Sequence, residues 1–423
     1  MRCFEKNRVR TGTESGRRLY RSLNFMGASC ALLLLLSASC CCAQSCITPA
    51  EFLQKHPSPS MHAEDYGELG TWFERNGQLE CAVHIFRQGI QAYPSSSQLQ
   101  YSLGITFYAS NRRKEAVNAL KASLALDPSL SPAHLALGVI DHETGDQAEA
   151  LRQWEAALSL DPGSVTALDW VAKARIEAGQ YAAADELLRA APDDEELVLD
   201  RIVAESKEGL FAEAQSTAES ALQAHPDWPR VTEALATVLV QQNRFEEARQ
   251  MLRAAFKAHP QDSAIRLLYL RVLLLSGNAV EAKPLAQELL TKQPRDFETL
   301  YLNGLLERQE GDFAAARQHL QAAAVLNPRH YDVRYNLGFT LAKLNRDTEA
   351  REQLREAITL DPAAPEAHFQ MAAVLRALGD ADTAKHELEE YQRATEANAK
   401  RDEAVALSTQ AREKLSDGDA PAA

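Results

Sequence analysis

The chain of 423 residues is acidic, with 59 Asp and Glu residues against 45 Lys and Arg residues and a net charge of −14. This charge argues against a protein that binds nucleic acid by neutralising phosphates, and it disfavours binding to anionic membrane surfaces. Hydrophobic residues make up 45% of the chain and aromatic residues only 7%. The composition therefore indicates a soluble, Ala- and Leu-rich, largely helical protein.

The first 43 residues differ from the rest of the chain in charge and hydropathy. They carry seven basic and two acidic residues, a net charge of +5, so the remaining chain carries −19. The apolar run from Phe25 to Ala38 and the small residues before Ala43 are typical of a secretory signal. We predict a signal peptide at residues 1–43, and no integral membrane span after its cleavage. The alternatives are an uncleaved anchor and a lipid anchor at Cys40, within the lipobox-like Ser37-Ala38-Ser39-Cys40.

Two of the seven cysteines, Cys46 and Cys81, lie beyond this leader. In an oxidising compartment they can form one disulfide between the proline-containing linker, residues 44–62, and the first helical repeat. The alternative is two unpaired thiols, with Cys81 as a small buried hydrophobic residue.

From residue 63 the sequence repeats every 34 residues, apart from one step of 30. A column of residues that tolerate the left-handed conformation predicts the end of a helix in every repeat. A column of alanines follows five residues later, and a column of prolines ends the second helix of each repeat. The glycine and asparagine column is Gly77, Asn111, Gly145, Gly179, Gly209, Asn243, Gly277, Gly311, Asn345 and Gly379. The alanine column is Ala82, Ala116, Ala150, Ala184, Ala214, Ala248, Ala282, Ala316, Ala350 and Ala384.

Apolar residues between these columns follow a helical period, so each repeat is predicted to be a helix, a tight turn and a second helix. Leu-Gly pairs such as Leu103-Gly104 and Leu337-Gly338 supply a point of close approach in the first helix. Together with the alanine and proline columns, these pairs resemble the tetratricopeptide repeat over residues 63–398, in ten copies. The resemblance implies an all-α, right-handed superhelical solenoid of helix-turn-helix repeats with a C-terminal capping helix.

The shorter step removes four residues from the fourth repeat, between Ala184 and Pro192. One interpretation is a change of stacking between two blocks, repeats one to four at residues 63–194 and repeats five to ten at residues 195–398. The other is a second helix that is merely shortened. Residues 399–423 are predicted to form a capping helix and a tail, with an apolar stripe at Ala404, Leu407, Ala411 and Leu415.

No phosphate-binding glycine loop, metal-protease motif, nucleophile elbow or calcium loop occurs in the sequence. The eleven histidines are scattered without metal-ligand spacing. We therefore expect no enzyme activity, no metal and no cofactor.

Family members use the first helix of each repeat to contact ligands in a concave groove, and this resemblance implies the candidate residues. They are Tyr101, Tyr301, Tyr335, Asn336, Phe339 and Phe369. Tyr301, Tyr335 and Phe369 occupy the same place in three consecutive repeats, which suggests a ladder of rings along the groove. The alternative is that these rings pack between neighbouring repeats.

These observations favour an exported, periplasmic or extracellular scaffold that binds a protein or peptide partner. An accessory subunit that presents substrate to a separate enzyme, and a self-assembling structural protein, are the two rivals. Because the chain without its leader carries −19, we expect a neutral or basic partner rather than an acidic one.

Overall fold

The computed structural model describes Cys46 and residues 61–416, with side chains beyond Arg401 described only for Glu403, Ala404 and Leu407. The predicted signal peptide, including Cys40, and most of the linker lie outside the described residues. In the described part the chain forms twenty α-helices and no strands, arranged as ten consecutive helix pairs. None of these helices has both the length and the apolar character that a membrane span needs.

The first helices of the ten repeats are α1 (Ala63–Arg75), α3 (Ser97–Ala109), α5 (Ser131–Thr144), α7 (Val165–Glu177), α9 (Glu195–Glu208), α11 (Pro229–Gln241), α13 (Ser263–Leu275), α15 (Phe297–Glu310), α17 (Tyr331–Lys343) and α19 (Pro365–Ala377). The second helices are α2 (Leu79–Ala92), α4 (Arg113–Leu126), α6 (Gln147–Leu160), α8 (Tyr181–Arg189), α10 (Phe211–Ala224), α12 (Phe245–Ala258), α14 (Ala279–Lys292), α16 (Phe313–Leu326), α18 (Asp347–Leu360) and α20 (Ala381–Ser416).

The turn column ends every first helix, as the sequence predicts. Its seven glycines have positive φ angles, and Asn111, Asn243 and Asn345 share this conformation with φ between 57° and 61°. Asparagine tolerates the left-handed region better than other residues with a side chain, so it replaces glycine here without breaking the turn. Ser96, Ser164 and Asp296 then accept backbone hydrogen bonds at the start of α3, α7 and α15.

The close approach of the two helices in a repeat depends on matched side-chain volumes. A Cβ atom added to Gly338 would lie 2.7 Å from Cγ of Leu354, and Gly104 has the same relation to Leu120. Where the first helix carries a large residue instead, as Ile202 and Leu270 do, the matching position of the second helix is the buried Ala218 or Ala286. The alanine column is buried throughout. Each pair therefore has one large and one small residue at this contact.

Another recurrent contact holds the first helix to the chain that enters it. His368 is buried, and its ring nitrogens lie 2.6 Å from Oε2 of Glu387 in α20 and 3.1 Å from the carbonyl oxygen of Pro362. His134 makes equivalent contacts with Gln153 and Pro128. These side chains join the proline turn to the second helix of the same repeat.

The missing residues of the fourth repeat are taken from its second helix, because α8 has nine residues and the other second helices up to α18 have fourteen. The chain also divides into two compact bodies between Asp200 and Arg201, within α9. We call the described residues up to Asp200 the N-terminal body and those from Arg201 the C-terminal body.

The last helix continues without a break from the tenth repeat into the segment predicted to be the cap. The proline that ends the other second helices is replaced here by Glu396, so nothing stops α20 before Ser416. Leu407 is 59% exposed and Ala404 is exposed, so this part of the predicted stripe faces solvent. Ala411 and Leu415 lie outside the described side chains.

Candidate functional site

The first helices lie on the inner side of the curvature within each body. Consecutive first helices contact each other directly at α1 and α3 in the N-terminal body, and from α11 through to α19 in the C-terminal body. Within each body, consecutive second helices of the described residues make no comparable contact. We call the side chains on this side of the first helices the inner face. It includes Tyr101, Tyr108, Glu143, Asp169, Lys173, Glu196 and Asp200 in the N-terminal body, and Arg308, Tyr335, Phe339, Lys343 and Phe369 in the C-terminal body.

Tyr301 belongs mainly to the packing of the C-terminal body. It is only 9% exposed, its ring is nearly parallel to that of Phe297 at 6.3 Å between centroids, and the ring of His330 lies 5.7 Å away. Burial lowers the pKa of His330, which favours the neutral imidazole in this contact. For Tyr301 the structure therefore agrees with packing between neighbouring repeats.

Tyr335 is half-buried and pairs with a second tyrosine from its own helix. Its ring lies 6.1 Å from that of Tyr331, with the two planes only 6° apart. Burial raises the pKa of both phenols, and the carboxylate of Glu366 acts in the same direction. The ring contacts of Tyr301 and Tyr335 are thus made within and beside their own helices, and not as the continuous ladder that the sequence suggested.

Phe339 and Phe369 present apolar rings at the inner face. Phe339 is half-buried, with the guanidinium of Arg308 at 5.1 Å and the ammonium of Lys343 at 5.3 Å from its ring centroid. Phe369 is 53% exposed, and its ring lies 5.5 Å from that of Tyr391. These rings and the half-buried Tyr335 provide accessible aromatic surface next to two cations.

Asn336 does not belong to this surface. It is 6% exposed, and its side-chain amide donates a hydrogen bond of 2.7 Å to the carbonyl oxygen of Asp332, one turn earlier in α17. Asn336 is therefore not available as the ligand-contacting residue that the resemblance implied, because its amide is buried and already donates within its own helix.

Tyr101 lies in the N-terminal body, whereas the other five candidate residues belong to the C-terminal body. It is half-buried on α3, and burial together with the nearby Glu74 raises the pKa of its phenol. Glu74 is itself buried and accepts a hydrogen bond of 2.5 Å from the hydroxyl of Thr106. Tyr101 is therefore part of a polar, acidic surface rather than of the ring surface of the C-terminal body.

Cys46 and Cys81 form a disulfide in the structure, with their Cα atoms 5.4 Å apart. Cys81 lies in α2 and is 4% exposed, while Cys46 packs against the core of the first repeats. The bond therefore holds Cys46, near the start of the linker, against the first helix pair.

Polar contacts join neighbouring first helices across the inner face of the N-terminal body. The hydroxyl of Tyr108 in α3 donates a hydrogen bond of 2.8 Å to Glu143 in α5, whose other carboxylate oxygen lies 3.3 Å from a guanidinium nitrogen of Arg113. Trp170 of α7, by contrast, is buried and stacks on the buried Trp154 of the second helix α6, with a centroid distance of 4.8 Å, so it belongs to the core. The contact between Tyr108 and Glu143 places an aromatic and an acidic side chain side by side on the inner face.

At the end of this body three carboxyl groups surround one ammonium. Lys173 forms an ion pair with Asp169 in α7, and its Nζ lies 3.8 Å from Oδ2 of Asp200 and 4.0 Å from Glu196 in α9. We call these four residues the acidic cluster. Burial, together with Asp169 and Glu196, raises the pKa of Asp200, although Lys173 opposes the shift.

Models of the tetratricopeptide repeat match the chain at residues 68–131, 101–165, 205–271, 239–302, 301–365 and 365–390. Together these matches cover more than half of the chain. The chain belongs to the tetratricopeptide repeat family.

Solved structures similar to this tetratricopeptide repeat array have low sequence identity to it. The match to a structure of the APC/C hetero-tetramer Cut9–Hcn1 covers 78% of this chain and 73% of the matched chain, at 14% identity and a TM-score of 0.49. The match to a MamA structure from AMB-1 covers 39% of this chain and 98% of the matched chain, at 21% identity and a TM-score of 0.35. The match to Naa15/Naa10 bound to HypK-THB covers 81% of this chain and 60% of the matched chain, at 18% identity and a TM-score of 0.34. No curated protein matches the chain.

The acidic cluster and the Tyr108–Glu143 contact are not among the residues that the sequence predicts for the site. Asp169 and Lys173 lie in one repeat, whereas their neighbours Glu196 and Asp200 belong to the next. The signal in the sequence is the excess of acidic residues on the first helices of the N-terminal body, which appears when charges are counted separately for first and second helices.

Proposed function

We propose that this protein is an exported, non-enzymatic scaffold that binds an extended segment of a protein partner on the inner face of the C-terminal body. The single observation that carries the proposal is the exposure of Phe369, 53% of whose surface remains accessible beside the half-buried Phe339 and Tyr335. Rigid aromatic rings that are accessible on a concave surface are typical anchors for a partner. Tetratricopeptide repeat arrays offer such an extended surface without a catalytic centre.

The cations beside Phe339 support an anchor of this kind. Arg308 and Lys343 hold their charges over the ring, where they remain able to pair with a carboxylate or a backbone carbonyl of the partner. The export component rests on the leader sequence, and the Cys46–Cys81 disulfide fits a compartment that is oxidising.

A triple variant, Tyr335→Ala/Phe339→Ala/Phe369→Ala, tests the proposal with a phage-displayed library of random dodecapeptides as the probe. We expect peptides selected on the wild-type protein to bind the triple variant at least about tenfold more weakly, since each anchor contributes about 1–2 kcal/mol. The matched control is Val280→Ala/Val325→Ala, which removes the apolar side chains that are 93% and 76% exposed on second helices. Binding is measured by biolayer interferometry, and helicity by circular dichroism.

The single variant Phe369→Ala keeps the test valid if the triple variant loses helicity, because this ring is the most exposed of the three. Selected peptides that bind the single variant and the wild-type protein equally well, or that lose affinity only for the control, contradict the proposal.

A further inference from the structure

Charge is distributed very unevenly between the two sets of helices in the N-terminal body. Its first helices, with α9 counted up to Asp200, contain eleven acidic and three basic residues. Its second helices contain six of each. The first helices of the C-terminal body, counted from Arg201, contain eight acidic and nine basic residues. Among the first helices, the acidic excess therefore belongs to the N-terminal body.

Acidic side chains on this inner face are held in place by neighbouring helices. Glu143 bridges Tyr108 and Arg113, and its side chain is only 8% exposed. Lys173 restrains Asp169 next to Asp200. Carboxylates fixed in this way bind a cation with little further loss of side-chain entropy.

Two of the buried carboxyl groups have one oxygen that accepts no hydrogen bond and that meets a cation only as an ion pair. Asp200 is 9% exposed, and its Oδ2 accepts no hydrogen bond in the structure, since the ammonium of Lys173 lies 3.8 Å away. Oε2 of Glu143 likewise accepts no hydrogen bond, although a guanidinium nitrogen of Arg113 lies 3.3 Å away. An acceptor that is buried without a hydrogen bond costs free energy, which a donor from a partner would recover.

Two tyrosine side chains lie beside carboxylates of this face. Tyr101 and Tyr108 are half-buried on α3, where Tyr101 is near Glu74 and Tyr108 donates a hydrogen bond to Glu143. A guanidinium group combines planar donors for a carboxylate with a face that stacks on aromatic rings. Tyrosine rings that lie beside carboxylates are suited to this group in particular.

We propose that the inner face of the N-terminal body binds an arginine- or lysine-rich segment of a partner protein. The proposal rests on the proposed scaffold function and names the chemistry of one part of the partner. A second copy of this chain is a poor occupant, because the chain without its leader carries −19.

The probe for the test is fluorescein-labelled nona-arginine, with nona-glutamate as the peptide of opposite charge. The inner variant is Asp169→Asn/Glu196→Gln/Asp200→Asn, and the matched control is Glu80→Gln/Glu155→Gln/Glu186→Gln on exposed positions of second helices. Both variants remove three carboxyl groups, so a difference between them reports the location of the site and not the number of acidic side chains. The substitutions are nearly isosteric, and circular dichroism checks that both variants keep their helicity.

We expect nona-arginine to bind the inner variant at least about tenfold more weakly than the wild-type protein, and the control less than about twofold more weakly. We also expect affinity to fall as salt is raised from about 0.05 M to about 0.2 M. Equal weakening of both variants overturns the proposal, because it assigns binding to the general negative charge. Self-association of the wild-type protein that the inner variant abolishes also overturns it, in favour of a second copy as the occupant.

Failure of this inference is distinguishable from failure of the proposed function. If nona-arginine binds the inner variant as tightly as the wild-type protein while the selected dodecapeptides still bind Phe369→Ala more weakly, only the basic-segment proposal is wrong. If the substitutions change the affinity of neither probe, the proposed scaffold function is wrong as well.

Discussion

Replacing Gly338 by leucine is expected to destabilise the C-terminal body by about 3 kcal/mol. The Cβ atom of the new side chain would lie 2.7 Å from Cγ and 3.0 Å from Cδ2 of Leu354, and 3.3 Å from the carbonyl oxygen of Ala350. These distances are too short, so α17 and α18 must move apart. The higher helix propensity of leucine offsets only about 1 kcal/mol of this cost. Urea unfolding followed by circular dichroism measures the loss.

A compensating substitution tests whether matched volumes are the cause. Leu354→Ala alone should cost about 2–5 kcal/mol through the cavity that it leaves. Combined with Gly338→Leu, it reproduces the native pair Leu270 and Ala286, in which the large residue is on the first helix. We expect the double variant to recover at least half of the stability lost in the less stable single variant. Losses that simply add would show that the volumes at this contact are not coupled.

Removing the Cys46–Cys81 disulfide is expected to lower the stability of the first helix pair by about 4 kcal/mol. The reason is that the disulfide closes a loop and thereby reduces the conformational entropy of the unfolded chain. The two cysteines are 35 residues apart in sequence. Cys46→Ser is the preferred change, because Cys81 is buried in α2 and its thiol can remain there as a small apolar group. Hydrogen exchange of α1 and α2, measured by mass spectrometry, reports the local loss.

Reduction supplies the control for that prediction. Dithiothreitol should lower the protection of α1 and α2 in the wild-type protein to the level of Cys46→Ser, and should leave the variant unchanged. Two results together would contradict the disulfide. Both cysteines of the native, unreduced protein would react with a thiol label, and hydrogen exchange of α1 and α2 would be identical in the wild-type protein and the variant.

The sequence predicts the helix pairs well because their boundaries depend on local chemistry. Gly77 or Asn111 can adopt the left-handed conformation that ends a first helix, and the proline that ends a second helix lacks an amide hydrogen. The same local argument explains why α20 continues past Glu396, where that proline is absent. These features need no knowledge of tertiary contacts.

The candidate site is less predictable, because the exposure of a side chain depends on the repeat beside it. Tyr301 and Phe369 occupy the same position in their repeats, yet one is 9% and the other 53% exposed. Tyr301 packs against Phe297 and His330, whereas Phe369 meets Tyr391 alone among the rings of the described residues. Asn336 shows the same limit, since its burial and its bond to Asp332 are set by the fold.

The acidic cluster combines residues from two repeats. Comparing equivalent positions of the repeats does not show that these residues come together. Asp169 and Lys173 lie one turn apart on α7, but Glu196 and Asp200 come from α9 after the shortened α8. The volume pairs, by contrast, can be read from the sequence once the contacting positions are known, because Ile202 with Ala218 and Leu270 with Ala286 invert the pattern of Gly338 with Leu354.

Photo-crosslinking from a defined position tests most directly whether the inner face of this scaffold contacts a partner. Benzoylphenylalanine is introduced at position 369 on the inner face and, as the control, at position 325 on a second helix, in cells that produce the protein. Both positions are accessible, since Phe369 is 53% and Val325 is 76% exposed. The scaffold function predicts a stoichiometric adduct with one protein partner from position 369 and none from position 325. Adducts of equal yield from both positions, or no adduct from position 369, would contradict it.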